Sequence, residues 1–286
     1  MKSISKAELF LLGITLIWGS TFVITKNALA TASPLAFMSI RFGLASLIFW
    51  AIYRKEIDFK ISKISLAGFG VSLSMLIGFA TQTAGLKYTS ASHSGFITGL
   101  LVIFTPIFQI MIEKKWPKWG TILGVILVTI GLFLLINPQN ILDQNTLFGD
   151  FLTLICAISF AIYIVLIDVA SKKDNIYFLT FLQMLVVAIG GIFCSFFIEK
   201  VYVEFNTNLL ISALYLAIMA TIVATFVQTK YQKETTPAKA AVIFTMEPVF
   251  SAVLAFFVLG EMIGWTGMLG GMIIVSGLLL SELSKS

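Results

Sequence analysis

Ten apolar runs of about 20 residues, joined by short polar connections, constrain this chain more than any other feature of its sequence. They lie near residues 8–30, 34–53, 64–86, 90–112, 119–136, 149–170, 176–198, 209–229, 237–259 and 263–282. A helix rises 1.5 Å per residue, so about 20 residues cross the roughly 30 Å hydrocarbon core of a bilayer. Lipid must cover such a chain: 58% of its residues are hydrophobic and only 12% charged, too few to clothe a soluble surface. A transmembrane β-barrel would alternate polar and apolar residues in segments of about ten, and runs such as GVILVTIGLFLLI (124–136) do not. The expected fold class is an all-α integral membrane protein with ten transmembrane helices.

The formal charge of +5 does not gather into a patch of the kind that holds nucleic acid. Lys2, Lys6, Arg54, Lys55, Lys60, Lys63, Lys114, Lys115, Lys118, Lys172, Lys173, Lys230, Lys233 and Lys285 fall at the termini or in the even-numbered connections, against Lys87 and Lys200 on the other side. The positive-inside rule then places both termini in the cytoplasm, which an even number of spans requires. The expectation is a multi-pass protein of the bacterial inner membrane. No small-residue cleavage site follows the first run, which leads through Pro34 into the second, so it reads as a retained helix rather than a signal peptide. Cys156 and Cys194 lie within spans without metal-ligand spacing and read as buried thiols.

The chain is written twice. At a spacing of 142, Glu8 falls on Asp150, Trp18 on Phe160 and Arg41 on Gln183; at 146, Gln82-Thr83 falls on Gln228-Thr229, Ser90 on Thr236, Gly124 on Gly270 and Gly131 on Gly277. Residues 1–137 hold one five-helix repeat and residues 149–286 the other, with 138–148 an external linker. Five is odd, so the second copy enters the membrane from the opposite side. Such inverted repeats surround a central site in carriers and give two nearly isoenergetic arrangements, one open to each side.

Several stretches carry a family likeness: WGSTFVITKNAL (18–29), Pro34 with IRF (40–42), TSASHSGFITGLLVIFTPIF (89–108), TTPAKAAVIFTMEPVF (235–250), GE (260–261) and GMLGGMIIVSGLLL (267–280). In order, spacing and duplication they resemble the EamA-like members of the drug/metabolite transporter superfamily, over essentially the whole chain. The resemblance implies ten helices, cytoplasmic termini and a central cavity for amino acids, amphipathic metabolites or drugs, often exported and often proton-linked.

A polar group facing lipid costs several kcal/mol, so polar stripes turn inward. On that ground Trp18, Thr21, Phe22, Gln82, Thr98, Tyr163, Gln228 and Glu247 are expected around a substrate cavity lined by the first, third, fourth, sixth, eighth and ninth helices. A single Ser or Thr also serves close helix packing, whereas a carboxamide must satisfy four hydrogen-bonding positions and recurs here in both halves. Glu247 lies ten residues beyond Pro237, about 15 Å along the axis and near the midplane, where an ionisable group points to function. It reads as a proton carrier or a counter-ion for an amine; alternatively it pairs with Lys239 or Arg41, or caps backbone freed by Pro248. Arg41, Lys239 and His93 are the other coupling or ion-pair candidates. Arg41 needs a substrate carboxylate or a helix-end carbonyl, and His93 is either a pH sensor or merely interfacial. Lys26 is expected to snorkel to the outer interface. Pro106 and Pro248 interrupt corresponding helices and are hinge candidates. Trp50, with Trp18, is a possible aromatic lining. The glycine-rich fifth and tenth helices read as a packing scaffold or as a face for a second copy.

The function these residues suggest is a secondary carrier moving small amino acid-like or amphipathic organic solutes, by alternating access and with protons as a possible coupling ion. Its partners would be a small-molecule substrate and lipid, as a monomer or homodimer, with no cofactor, metal or nucleic acid. An enzyme would need a reactive cluster, and the sequence holds no histidine pair, intramembrane aspartate dyad, P-loop or cysteine beside a base. A non-transporting scaffold or receptor leaves the duplicated glutamines without a role, and a drug-efflux carrier of the same fold is the nearest alternative.

Overall fold

The computed structural model describes residues 5–58, 64–136, 144–259 and 264–283, and their regular structure is helical, with one isolated bridge between Ala32 and Val203. In order they are α1 (Lys6–Gly19), α2 (Thr21–Ala28), α3 (Pro34–Tyr53), α4 (Leu66–Tyr88), α5 (Ala91–Gly99), α6 (Leu101–Glu113), α7 (Trp119–Ile136), α8 (Gln144–Ala170) and α9 (Ile176–Ile198). Then follow α10 (Thr207–Tyr215), a π-helical stretch (Leu216–Val223), α11 (Ala224–Tyr231), a 3-10 turn (Gln232–Glu234), α12 (Pro237–Phe244), α13 (Met246–Leu259) and α14 (Trp265–Leu283). Among the described residues seven helical segments are long and apolar enough to cross a membrane, and Trp119–Leu135 and Trp265–Ser281 are shorter apolar helices.

Starts follow the capping residues written in the sequence. Ser5 and Glu8 form a capping box on α1, and the side chains of Ser65, Ser90, Asn175, Asn206 and Thr236 each accept a first-turn N–H, satisfying donors that a helix otherwise leaves unpaired. Pro34 opens α3, where its missing N–H costs nothing. The α3 start is capped from elsewhere in the chain: Glu199, just past α9, accepts from the N–H groups of Leu35 (3.2 Å) and Ala36 (2.9 Å). Glu199→Ala should therefore destabilise the protein by about 1–2 kcal/mol, read as a lower midpoint of thermal unfolding; an unchanged midpoint would show that water replaces the cap.

Four of the expected continuous spans are interrupted. The first breaks at Ser20, the fourth at Leu100 and the ninth at Thr245, while the eighth carries the π-helical stretch. The discontinuities at Leu100 and Thr245 fall at equivalent places in the two halves, upstream of the expected hinges Pro106 and Pro248. At Thr245 the reason is steric: a proline ring crowds the carbonyl four residues before it, and for Pro248 that residue, Phe244, adjoins the break, whereas α6 continues unbroken from Leu101 through Pro106. Polar side chains mend the ladder there. The Thr245 hydroxyl donates to the Val242 carbonyl at 2.6 Å and that of Ser20 to Ile17 at 2.7 Å. Within the linker expected at 138–148, α8 begins at Gln144; residues 137–143 and the Gly260-Glu261 pair lie outside the described residues.

The bundle is held by antiparallel pairs that join the halves: α3 with α9, α4 with α8, and α7 with α14. Small residues permit the approach. Gly124 meets Gly277 and Gly131 meets Gly270, so closely that a Cβ on Gly131 would stand 2.7 Å from the Gly270 carbonyl oxygen. These four glycines of the fifth and tenth helices thus face one another within the chain. Along α4 and α8, Gly85 lies against Gly149 and Gly78 against the Phe160 ring. Between α3 and α9, Gly191 abuts Ser39 and Met38, while the rings of Tyr53 and Tyr177 lie 5.3 Å apart.

Candidate functional site

The helix interruptions converge on a central cavity. Trp18 and Thr21, on either side of the Ser20 break, line one wall, and Thr98 and Leu101 flank the break at Leu100. Phe244 and Glu247 flank that at Thr245, and Ala220 comes from the π-helical stretch. Met75, Phe79 and Gln82 of α4, Phe160, Tyr163 and Ile164 of α8, and Thr225 and Gln228 of α11 complete the lining with Arg41 of α3. A lining that is mostly apolar with a few fixed polar groups suits a small organic molecule.

The π-helical stretch organises the polar side of the cavity. Widening the turn redirects the hydroxyl of Thr221 to the carbonyl five residues earlier, Leu216, at 2.8 Å, and leaves the Ala220 carbonyl available to side chains. Trp18 Nε1 donates to it at 3.3 Å. Arg41 Nε donates to Thr221 Oγ1 at 2.8 Å and Nη2 to the Ala220 carbonyl at 3.5 Å. The guanidinium also sits 5.1 Å from the centroids of both the Phe42 and Phe79 rings, a favourable cation–π placement. Arg41 is buried and has no carboxylate partner among the described residues. Glu247, half-buried where α13 begins, has neither a hydrogen-bond nor an ion-pair partner among them.

The duplicated glutamines are bound differently. Gln82 Nε2 donates to Thr98 Oγ1 at 3.1 Å, both at the cavity wall. Gln228 belongs to a buried chain of carboxamides: its Nε2 donates to Gln232 Oε1 at 2.8 Å, and Gln232 Nε2 donates to the Ile164 carbonyl at 2.6 Å. Tyr163 donates its single hydroxyl proton to Gln183 Oε1 at 2.9 Å, with Gln228 Oε1 3.4 Å from the same oxygen. Gln183 Nε2 in turn reaches the Leu179 carbonyl (3.1 Å) and Thr229 Oγ1 (3.3 Å). Satisfied networks of this kind hold a lining rigid.

Of the residues expected at the substrate, the structure brings together Trp18, Thr21, Gln82, Thr98, Tyr163, Gln228 and Glu247, and adds Arg41. Phe22 is not among them. It is buried in a separate cluster with Ala28, Leu209 and Ala213, because the break at Ser20 changes the phase of the helix just before it. Lys239 does not face the cavity either; its ammonium pairs with Glu8 on α1. His93 lies at one end of the bundle, with Nδ1 3.5 Å from Asp150 Oδ2. Lys26 donates to the carbonyls of Leu86 and Thr89, the latter at 2.7 Å, and so closes the C-terminal end of α4. Trp50 lies on the outer surface. Gln183 and Phe160 carry a signal in the sequence, since the 142-residue register places them on Arg41 and Trp18. Gln232 carried no such signal.

The described residues form a helical membrane bundle around a mostly apolar cavity with a few polar groups, as a transporter would require. The chain belongs to the EamA-like transporter family, whose model matches it twice, over residues 5–137 and 147–283. It is 34% identical, over 97% of its length and 86% of the relative's, to an uncharacterized transporter of Archaeoglobus fulgidus. With the uncharacterized transporter YoaV of Bacillus subtilis it shares 23% identity over 98% of both chains. A crystal structure with 14% identity has the same fold, with a TM-score of 0.83 over 98% of each chain.

Proposed function

We propose that this protein is a secondary carrier of small amphipathic organic solutes, amino acid-like ones among them. It moves them outward across the inner (plasma) membrane by alternating access, with Glu247 carrying the coupling proton. In this reading the chain crosses the membrane ten times with both termini in the cytoplasm, and the second repeat is inverted. Supporting the inversion, α3 with α9 and α7 with α14 are equivalent helices of the two repeats, and each pair runs antiparallel.

The observation that carries the reading is a cavity holding Arg41 and Glu247 without an opposite charge on either among the described residues. An ionisable group at membrane depth is retained where a substrate or an ion will meet it. Trp18, Phe79, Phe160 and Phe244 supply an apolar wall for the body of the solute.

Counterflow in proteoliposomes, against a panel of amino acids, weak acids and amines with and without a pH gradient, tests this. The protein should exchange at least one member well above protein-free vesicles. Glu247→Gln should keep exchange in the absence of a gradient and lose the component the gradient drives. No exchange of any solute by the wild type would sink the carrier reading; a fully gradient-responsive Glu247→Gln would remove the coupling role alone.

A further inference from the structure

Four charged or titratable residues away from the cavity are paired in a way that only the repeat reveals. Lys239 is the third residue of α12 and its ammonium contacts Glu8 Oε1 on α1. His93 is the third residue of α5 and its Nδ1 lies 3.5 Å from Asp150 Oδ2 on α8. In the two registers that align the halves, Glu8 corresponds to Asp150 and Lys239 to His93. The caps correspond too: Thr236 accepts the Lys239 N–H at 3.3 Å and Ser90 the His93 N–H at 3.1 Å. A cation in the first turn opposes the helix dipole, so helix stability does not account for a base at this position in both copies. The carboxylate on the neighbouring helix does.

The two pairs lie at opposite ends of the bundle. Asp150 also accepts from the Thr89 hydroxyl at 2.5 Å, and the Thr89 carbonyl accepts from Lys26 near the end of α2. Glu8 stands at the start of α1, 18 residues before Lys26, or about 27 Å of helix.

We propose that His93 and Asp150 form a proton-binding site at one mouth of the transport path, the titratable counterpart of the permanently charged Glu8–Lys239 pair at the other. The chemical difference is that imidazole ordinarily gains its charge between about pH 8 and pH 5 whereas an ammonium keeps its own. Protonation of His93 adds attraction between α5 and α8 and closes that mouth; loss of the proton releases it. The opposite mouth has no such dependence. The charged groups on elements packed against α5 are Asp150 and Asp168 on α8, Lys26 on α2, Lys87 on α4, Glu113 at the far end of α6 and Glu247 on α13; of these, Asp150 pairs with the imidazole. The transport meaning rests on the carrier reading, in which the distribution of lysines turns the His93 mouth outward. A proton taken from outside then shuts the outer mouth and returns the carrier to its cytoplasm-facing state.

Hydrogen exchange by mass spectrometry, on the full chain in lipid nanodiscs and corrected for intrinsic rates, tests the site without any solute. Between about pH 8 and about pH 5, protection of α5 and of the start of α8 should rise at least about fivefold in the wild type. The starts of α1 and α12 should not change. His93→Lys should stay protected at both pH values. His93→Gln and Asp150→Asn should remove the pH response, the latter with the imidazole in place. A wild-type response below twofold, or a response that survives in His93→Gln, overturns the proposal. Either result leaves counterflow untouched, so the site and the carrier reading fail separately.

Discussion

Arg41→Met is expected to lower uptake of carboxylate-bearing solutes by about 100-fold or more while barely moving the thermal midpoint. Removing one member of a buried, hydrogen-bonded charge pair costs about 2–5 kcal/mol of binding, and about 1.4 kcal/mol is a factor of ten. Arg41 directs Nε to Thr221 and Nη2 to the Ala220 carbonyl and has no carboxylate partner among the described residues. Its buried charge is thus poorly compensated, and an apolar side chain of similar volume relieves a desolvation cost as it gives up those two contacts. Arg41→Lys should fare little better in transport, since an ammonium offers no planar fork and stacks less well between Phe42 and Phe79. The comparison that decides is counterflow of a solute against its amide. Equal losses for both, together with a lowered midpoint, would make Arg41 a structural brace of the π-helical stretch.

Gly270→Leu should be the most damaging single substitution in the scaffold, costing about 3 kcal/mol or more by overpacking. Even a Cβ at this position would lie 2.5 Å from the Gly131 carbonyl oxygen and 2.5 Å from the Leu135 nitrogen, both backbone atoms that cannot swing aside. The neighbouring Gly271 has nothing within 4 Å of the same construction, and Gly271→Leu should be nearly neutral. Thermal unfolding of both variants in detergent gives the contrast directly. A tolerated leucine at 270 would mean that the α7–α14 contact is looser than its geometry states.

Much of the site was legible because polar atoms in apolar helices have few places to go. Trp18, Gln82, Tyr163 and Gln228 announce themselves by chemistry alone, and their helices turn them to the cavity. What the chain does not spell out is where a helix stops being one. Nothing in LAIMATIV (216–223) distinguishes a π-helical stretch from ordinary helix, having neither proline nor glycine, yet it supplies the carbonyl that Trp18 and Arg41 share. Phe22 would face the cavity only on one continuous helix through Ser20, and the chain breaks there. The partner of Lys239 lies 231 residues away, and choosing Glu8 over Glu247 needs the packing of α12 on α1. The caps at Ser5 with Glu8 and at Asn175 are local by contrast, because their partners sit within a turn.

Where the backbones of α7 and α14 touch at two glycine pairs, neither helix can slide along the other without driving a carbonyl into a neighbour. Swivelling about the crossing meets no such obstacle. If the two ends of the path open in turn, this seam is the axle, and the moving parts are the interrupted helices on the far side of the cavity.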